Sequence, residues 1–116
     1  MDNLKDDLYY LERMRKDLAF IIQNMKDVSI VQFEQNVILQ DSMMFRLIQI
    51  SENSRKLSDV YKQDHPAIPW TAIYGLRNRI VHDYGNVNLQ IVFDTLTQDI
   101  SELFYIINRV LSDSDF

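Results

Sequence analysis

A chain of 116 residues with 47% hydrophobic positions has material for one core and too little for two, so residues 1–116 read as a single domain. The absence of cysteine excludes a disulfide frame and a thiolate nucleophile, and suits a reducing cytosol. Seventeen acidic against twelve basic residues, a formal charge of −5, exclude a general nucleic-acid coat protein, because affinity for phosphates comes chiefly from Lys and Arg; any RNA contact must be local.

The N-terminal stretch MDNLKDDLYY has no basic-then-apolar leader. No apolar run approaches the roughly 18 residues that span a bilayer, so a cytoplasmic protein without membrane contact is expected. With only 2 Gly and 2 Pro, the chain has little material for tight turns and should form long helices. The first is expected from Asp2 or Asn3 to about Lys26, with Leu4, Leu8, Leu11, Met14, Leu18, Ile21, Ile22 and Met25 as its core band. Lys5, Glu12, Arg13, Lys16 and Asn24 occupy its opposite side.

Asp27 to Ser29 forms a joint, and Ser29 can cap a short turn from Ile30 to Glu34. A long helix is expected from Asn36 to Tyr61. Its apolar positions spread over several lines, which implies cover on more than one side, by its own bundle and by a second subunit. YKQDHPAI, residues 61–68, reads as a loop, because Pro66 and Pro69 restrict the residues before them. His65 has no companion at a ligand or base spacing and reads as a plain loop histidine.

Pro69 suits the first position of a helix running to about Asp83 and ending at Gly85, with Trp70 as a core anchor at its start. Asn88 can cap a last helix whose stripe is Leu89, Val92, Phe93, Leu96, Ile100, Leu103, Ile107 and Leu111. Four main helices on short links, plus one short extra helix, make an all-α, antiparallel up-and-down four-helix bundle the expected fold.

Chemistry concentrates in IPWTAIYGLRNRIVHDYG, residues 68–85, where Arg77, His82 and Tyr84 follow one another closely. An imidazole titrates near neutrality and can move protons, and a guanidinium stays charged and grips phosphate oxygens in pairs. On an ideal helix Ile73, Leu76 and Ile80 face the core, while Thr71, Gly75, Asn78 and His82 fall on the far side. Arg77 and His82 then stand about 140° apart, so either the helix end unwinds or a second chain completes the site. A mid-helix glycine costs roughly 1 kcal/mol relative to alanine, a cost that close approach of another helix offsets. A symmetric dimer across the Gly75 side would also gather Arg77, Arg79 and their mates into a basic spot.

Glu52 is expected to point inward and pair with Arg77, because an arginine near the core needs a charge partner, with a plain exposed glutamate as the competing reading. Asn78 is placed to orient His82 or a ribose. Tyr84 reads either as a helix-end aromatic or as a stacking or regulatory group. No metal site, glycine-rich phosphate loop or cofactor motif is legible.

Arg77 and His82 at this spacing, with Asn78 after the arginine, resemble the HEPN domains. The added Tyr84, the Ile-Pro-Trp lead-in and Gly75-Leu76 look like the HepT branch, small ribonuclease toxins paired with MNT-type nucleotidyltransferase antitoxins. ISENSRKLSD, residues 50–59, resembles the Glu-containing stretch of that branch, with Ser51 and Asn53 in place of the expected small Gly and Ala. The resemblance implies a HEPN-like bundle and a homodimer with composite active sites. It further implies metal-independent RNA cleavage by Arg77 and His82 to a 2′,3′-cyclic phosphate, and AMPylation of Tyr84 by the antitoxin. A competing class is a non-catalytic helical partner subunit of a small nucleotidyltransferase, binding a nucleotide or positioning a substrate.

Overall fold

The computed structural model describes residues 3–82, 86 and 88–113, without the side chains of residues 3, 4, 76, 79, 81, 82 and 113. Its described residues form helices and connecting turns: α1 Asn3–Met25, α2 Ile30–Glu34, α3 Val37–Arg55, α4 Asp59–Asp64, α5 Trp70–His82, α6 Leu89–Asp94 and α7 Ile100–Asp113. A π-helical turn, Thr95–Asp99, joins α6 to α7 and makes one continuous rod of the C-terminal segment. The fold is an all-α bundle of four main helices, with two short helices rather than the single one expected.

α1 is the centre of the packing, lying between α3 and α7, and α3 lies in turn between α1 and α5. Leu11, Met14, Leu18 and Ile21 of α1 are fully buried, and they meet Met43, Leu47 and Ile50 of α3 and Leu96 and Ile107 of the C-terminal rod in one core. An ion pair joins Asp17 of α1 to Arg46 of α3, and hydrogen bonds join Asp7 to Ser58, just beyond the end of α3, so the two helices run antiparallel. Glu52 with Arg77, and Ser54 with Tyr74, make α3 and α5 antiparallel as well.

α1 ends where Asp27 takes a left-handed conformation, φ 60°. Ser29 then caps α2 with a full capping box, its hydroxyl accepting from Gln32 N while the Gln32 side chain accepts from Ser29 N. Gln40 closes the other end of α2 by donating to the carbonyls of Phe33 and Glu34 at 2.8 and 3.1 Å. Phe33 is fully buried and tilts against Phe93 of α6.

The expected helix from Asn36 to Tyr61 is two helices. α3 stops at Arg55 and α4 begins after Ser58, whose hydroxyl accepts from Tyr61 N. The break has a cause outside the segment. Asp7 of α1, almost fully buried, accepts from Ser58 N at 2.8 Å and from Ser58 Oγ at 2.7 Å. A carboxylate taking both donors of one residue holds that residue extended and stops the helix there. Residues 61–64, expected in a loop, therefore continue α4.

Trp70 locks the next turn: its indole nitrogen donates to the carbonyls of Lys62 and His65 at 3.2 and 3.1 Å. α5 starts at Trp70, one residue after Pro69, whose carbonyl accepts from Ile73 N. His65 stacks on Tyr61 with ring centres 4.1 Å apart and its Nδ1 lies 2.9 Å from the Tyr61 carbonyl, so it serves the turn. Asn88 caps α6 by accepting from Gln90 N and Ile91 N. The π turn was not expected; Thr95 and Thr97 donate their hydroxyls back to the carbonyls of Ile91 and Phe93, a pattern that bends helices.

The Asp7 contact and its neighbour Tyr61 can be separated by mutation. Asp7→Ala should destabilise the fold by roughly 2–3 kcal/mol in urea unfolding, because two charge-assisted bonds are lost inside the bundle. Tyr61→Phe should be neutral or stabilising, since the buried Tyr61 hydroxyl has no hydrogen-bond partner among the described residues. Burial, and then the nearby Asp7 charge, push the Tyr61 phenol from 10.0 up to about 12. The folded state thus holds a proton that the unfolded state loses above pH 10, so wild-type stability should fall as pH rises from 10 toward 12, and Tyr61→Phe should lessen that fall.

Candidate functional site

The motif helix α5 lies along α3 with Ile73 and Ile80 buried and Thr71, Gly75 and Asn78 exposed. This orientation follows from apolar spacing alone. It leaves Arg77 on the border between the buried and open sides. Arg77 Nε donates to Glu52 Oε1 of α3 at 2.9 Å, and Arg77 Nη1 donates to Asn78 Oδ1 at 3.3 Å. Glu52 thus reaches the arginine from the neighbouring helix, 25 residues away in sequence.

The two side chains are 29% and 40% exposed, so the pair sits at the rim of the α3–α5 contact and does not point into the core. At a rim, water screens the attraction and the net contribution to stability is small. Its value is geometric, because the carboxylate fixes the direction of the guanidinium plane. Asn78 adds its side-chain oxygen to the hold on Arg77; its expected partner, the His82 side chain, lies outside the described residues. Glu52 also balances the arginine's charge, which lowers the attraction that this arginine alone can exert on a phosphate.

His82 is the last residue of α5, and its side chain, the Arg79 side chain and Tyr84 lie outside the described residues. Trp70 is the anchor at the helix start, part-buried against the core. Among the described residues, no group of three or more His, Asp or Glu side chains is placed to hold a metal ion. No helix among them is long and apolar enough to cross a membrane.

An adaxial groove of about 640 Å³ runs beside the site, between α5 and the C-terminal rod, with Leu47 and Ile50 of α3 lining it. Gly75 and Ala72 form part of one wall and Leu103 and Ile106 part of the other. A Cβ placed at Gly75 would meet nothing within 4 Å. Among the described residues, packing therefore leaves room for an alanine at this position.

A family model described as Ribonuclease HepT-like matches residues 9–110. The chain belongs to that family. Among its relatives, a protein of Caldanaerobacter subterraneus subsp. tengcongensis named "Putative RNase" is 28% identical over 102 residues, covering 88% of this chain and 91% of the relative. A protein of Thermococcus cleftensis named "Probable ribonuclease HepT" is 26% identical over 94 residues, covering 81% and 86%. One from Methanocaldococcus jannaschii, also named "Putative RNase", is 24% identical over 83 residues, covering 72% and 76%. No solved structure matches significantly.

Two structural acids escaped the reading of the sequence. Asp7 and Asp17 are buried on α1 although each stands beside residues of the exposed face, and a partner helix supplies the reason in both cases. Neither could have been found from α1 alone. The Glu52–Arg77 pair predicts its own test: Glu52→Gln should leave stability within about 1 kcal/mol of wild type in urea unfolding, because the pair is at the rim. A loss of several kcal/mol would show that the arginine depends on its partner as a buried charge does.

Proposed function

We propose that this chain is a metal-independent endoribonuclease, acting in the cytoplasm as a single-domain toxin of a type II toxin-antitoxin pair. Arg77 and His82 are its catalytic residues, with Glu52, Asn78 and Arg79 in support. The observation that carries the reading is Arg77, held by Glu52 on the open border of the motif helix in a chain of the HepT-like family. In the proposed reaction His82 takes the proton of a ribose 2′-hydroxyl, whose oxygen attacks the adjacent phosphorus. Arg77 stabilises the charge on the phosphate oxygens, and the 5′-oxygen leaves with the proton that the His82 imidazolium gives back. The products are a 2′,3′-cyclic phosphate and a free 5′-hydroxyl.

The site is proposed to be composite. A second copy seated against the Gly75 side would offset the cost of that glycine, cover the groove, and add its own Arg77 and Arg79 to a site that Glu52 leaves without net charge. Control falls to Tyr84: an MNT-type nucleotidyltransferase antitoxin would join the tyrosine oxygen to the α-phosphorus of ATP and release pyrophosphate. The attached AMP would then repel RNA from the arginines by charge and bulk. The competing reading, a nucleotide-binding subunit that cuts nothing, finds support in the same balanced Arg77, which is better suited to orienting a phosphate than to stabilising extra charge.

Cleavage of labelled RNA in the presence of a chelator separates the two. The wild type should cleave, His82→Ala should be slower by on the order of 10²–10⁴-fold, and Arg77→Ala by on the order of 10²–10³-fold. Wild-type protein that binds nucleotide and leaves RNA intact would favour the binding subunit. Gly75→Ala tests the dimer independently. It should leave the helix intact or stabilise it by roughly 0.5–1 kcal/mol in dilute protein, while analytical ultracentrifugation shows weaker self-association.

A further inference from the structure

Away from the motif helix, three cations stand over three aromatic rings in the furrow between α1 and α3. The Arg46 guanidinium lies 3.8 Å from the Phe20 ring centre, the Arg13 guanidinium 5.8 Å from that of Tyr9, and the Lys56 ammonium 5.6 Å from that of Tyr10. Tyr9, Arg13 and Lys16, at steps of four and three, share the solvent face of α1, and Tyr9 is 57% exposed. With Arg46 they line a polar depression of about 440 Å³.

The charge balance of this depression is positive on an acidic protein. Its two carboxylates are already engaged, Asp17 with Arg46 at 2.8 Å and Glu12 with the Arg15 Nε at 2.9 Å. Arg13 and Lys16 have no carboxylate partner among the described residues. Asp6, one turn before Tyr9 and Tyr10, is the nearest further acid on the open side of α1, because Asp7 turns inward to Ser58. Cations beside an exposed ring, here that of Tyr9, suit a single nucleic-acid strand, whose phosphates take the cations while a base stacks on the ring.

The furrow also leads to the motif. Lys56, over Tyr10, follows Glu52 by four residues, about 6 Å along α3, and Glu52 holds Arg77. Arg46 is six residues before Glu52 and about 120° round the helix, so the furrow occupies the face of α3 next to the one that carries the ion pair. We propose that the α1–α3 furrow is a track for single-stranded RNA, binding substrate beyond the scissile phosphate through Arg13, Lys16 and Arg46, with Tyr9 as a stacking platform. This inference rests on the ribonuclease reading for its ligand, and on the furrow itself for its residues.

The test measures binding of a fluorescent 12-nucleotide RNA, 2′-O-methylated so that it cannot be cleaved, alongside cleavage of the unmodified strand. Arg13→Ala with Lys16→Ala should weaken binding at least about tenfold and reduce the slope of log affinity against log salt by roughly 1.4, the loss of two phosphate contacts on a single strand. Tyr9→Ala should weaken it about fivefold or more. In cleavage, both variants should raise KM and keep kcat, because neither touches the reacting phosphate. Unchanged affinity and KM in a protein that still cleaves would overturn the track and leave the nuclease reading standing. Salt-dependent binding that the variants weaken, in a wild type that cleaves nothing, would remove the nuclease reading and keep the track. Variants that bind RNA like the wild type but no longer pair with a co-expressed antitoxin would reassign the furrow to a protein partner and overturn the proposal.

Discussion

The position of the motif helix depends on a carboxylate near the other end of the chain. Asp7 takes both donors of Ser58, and that hold ends α3, starts α4 and turns the backbone toward the indole of Trp70. Trp70 ties the first turn of α5 to the carbonyls that end α4, so α5 leaves this corner in a fixed direction along α3. Two side chains that share no segment, Glu52 and Arg77, come within hydrogen-bond distance as a result. An error in the corner would be carried along the helix and grow with distance from it, because a helix is stiff over the two turns that separate Trp70 from Arg77.

The same corner shows which parts of the fold can be read from sequence and which cannot. Helix type, the burial of Leu11, Leu18 and Ile107, and the caps at Ser29 and Asn88 depend on residues within one or two turns of each other, and local patterns report them. The break between α3 and α4 depends on Asp7, 51 residues from Ser58, and no window of sequence includes both. Its local signal, Ser58 followed by Asp59, reads equally well as an unremarkable polar turn of a longer helix. The π turn is of the same kind: Thr95 and Thr97 fit a straight helix by propensity, and only their back-bonded hydroxyls reveal the bend.

At the candidate site, the border position of Arg77 and the open side at Gly75 were legible because both follow from the 3.6-residue period. The depth of the Glu52–Arg77 pair was not. An inward glutamate would be expected if α3 and α5 were close-packed at this level, but the pair stands at the rim, where side-chain length rather than backbone direction decides the contact. The contact of Asn78 with Arg77 was not expected, for a related reason. Its neighbour in sequence, Arg77, bends its long side chain back across the helix surface, which positional arithmetic does not describe.

A net charge of −5 and an RNA substrate are compatible only if cations are grouped and acids are kept occupied. This chain does both along α1. Asp17 is spent on Arg46 and Glu12 on Arg15, which leaves Arg13 and Lys16 facing solvent beside Tyr9. At the motif the balance is reversed, since Glu52 neutralises Arg77 while it aims it. A phosphate at that point gains direction from the arginine and little long-range attraction. On the proposed reading, the two properties are therefore divided between two places: the furrow draws the strand in by charge, and the motif helix, completed by a second copy, positions the one phosphate that reacts. Removing Glu52 would strengthen the pull on RNA at the motif but free the guanidinium to rotate, so affinity and turnover should move in opposite directions, a coupling that neither cation alone would produce.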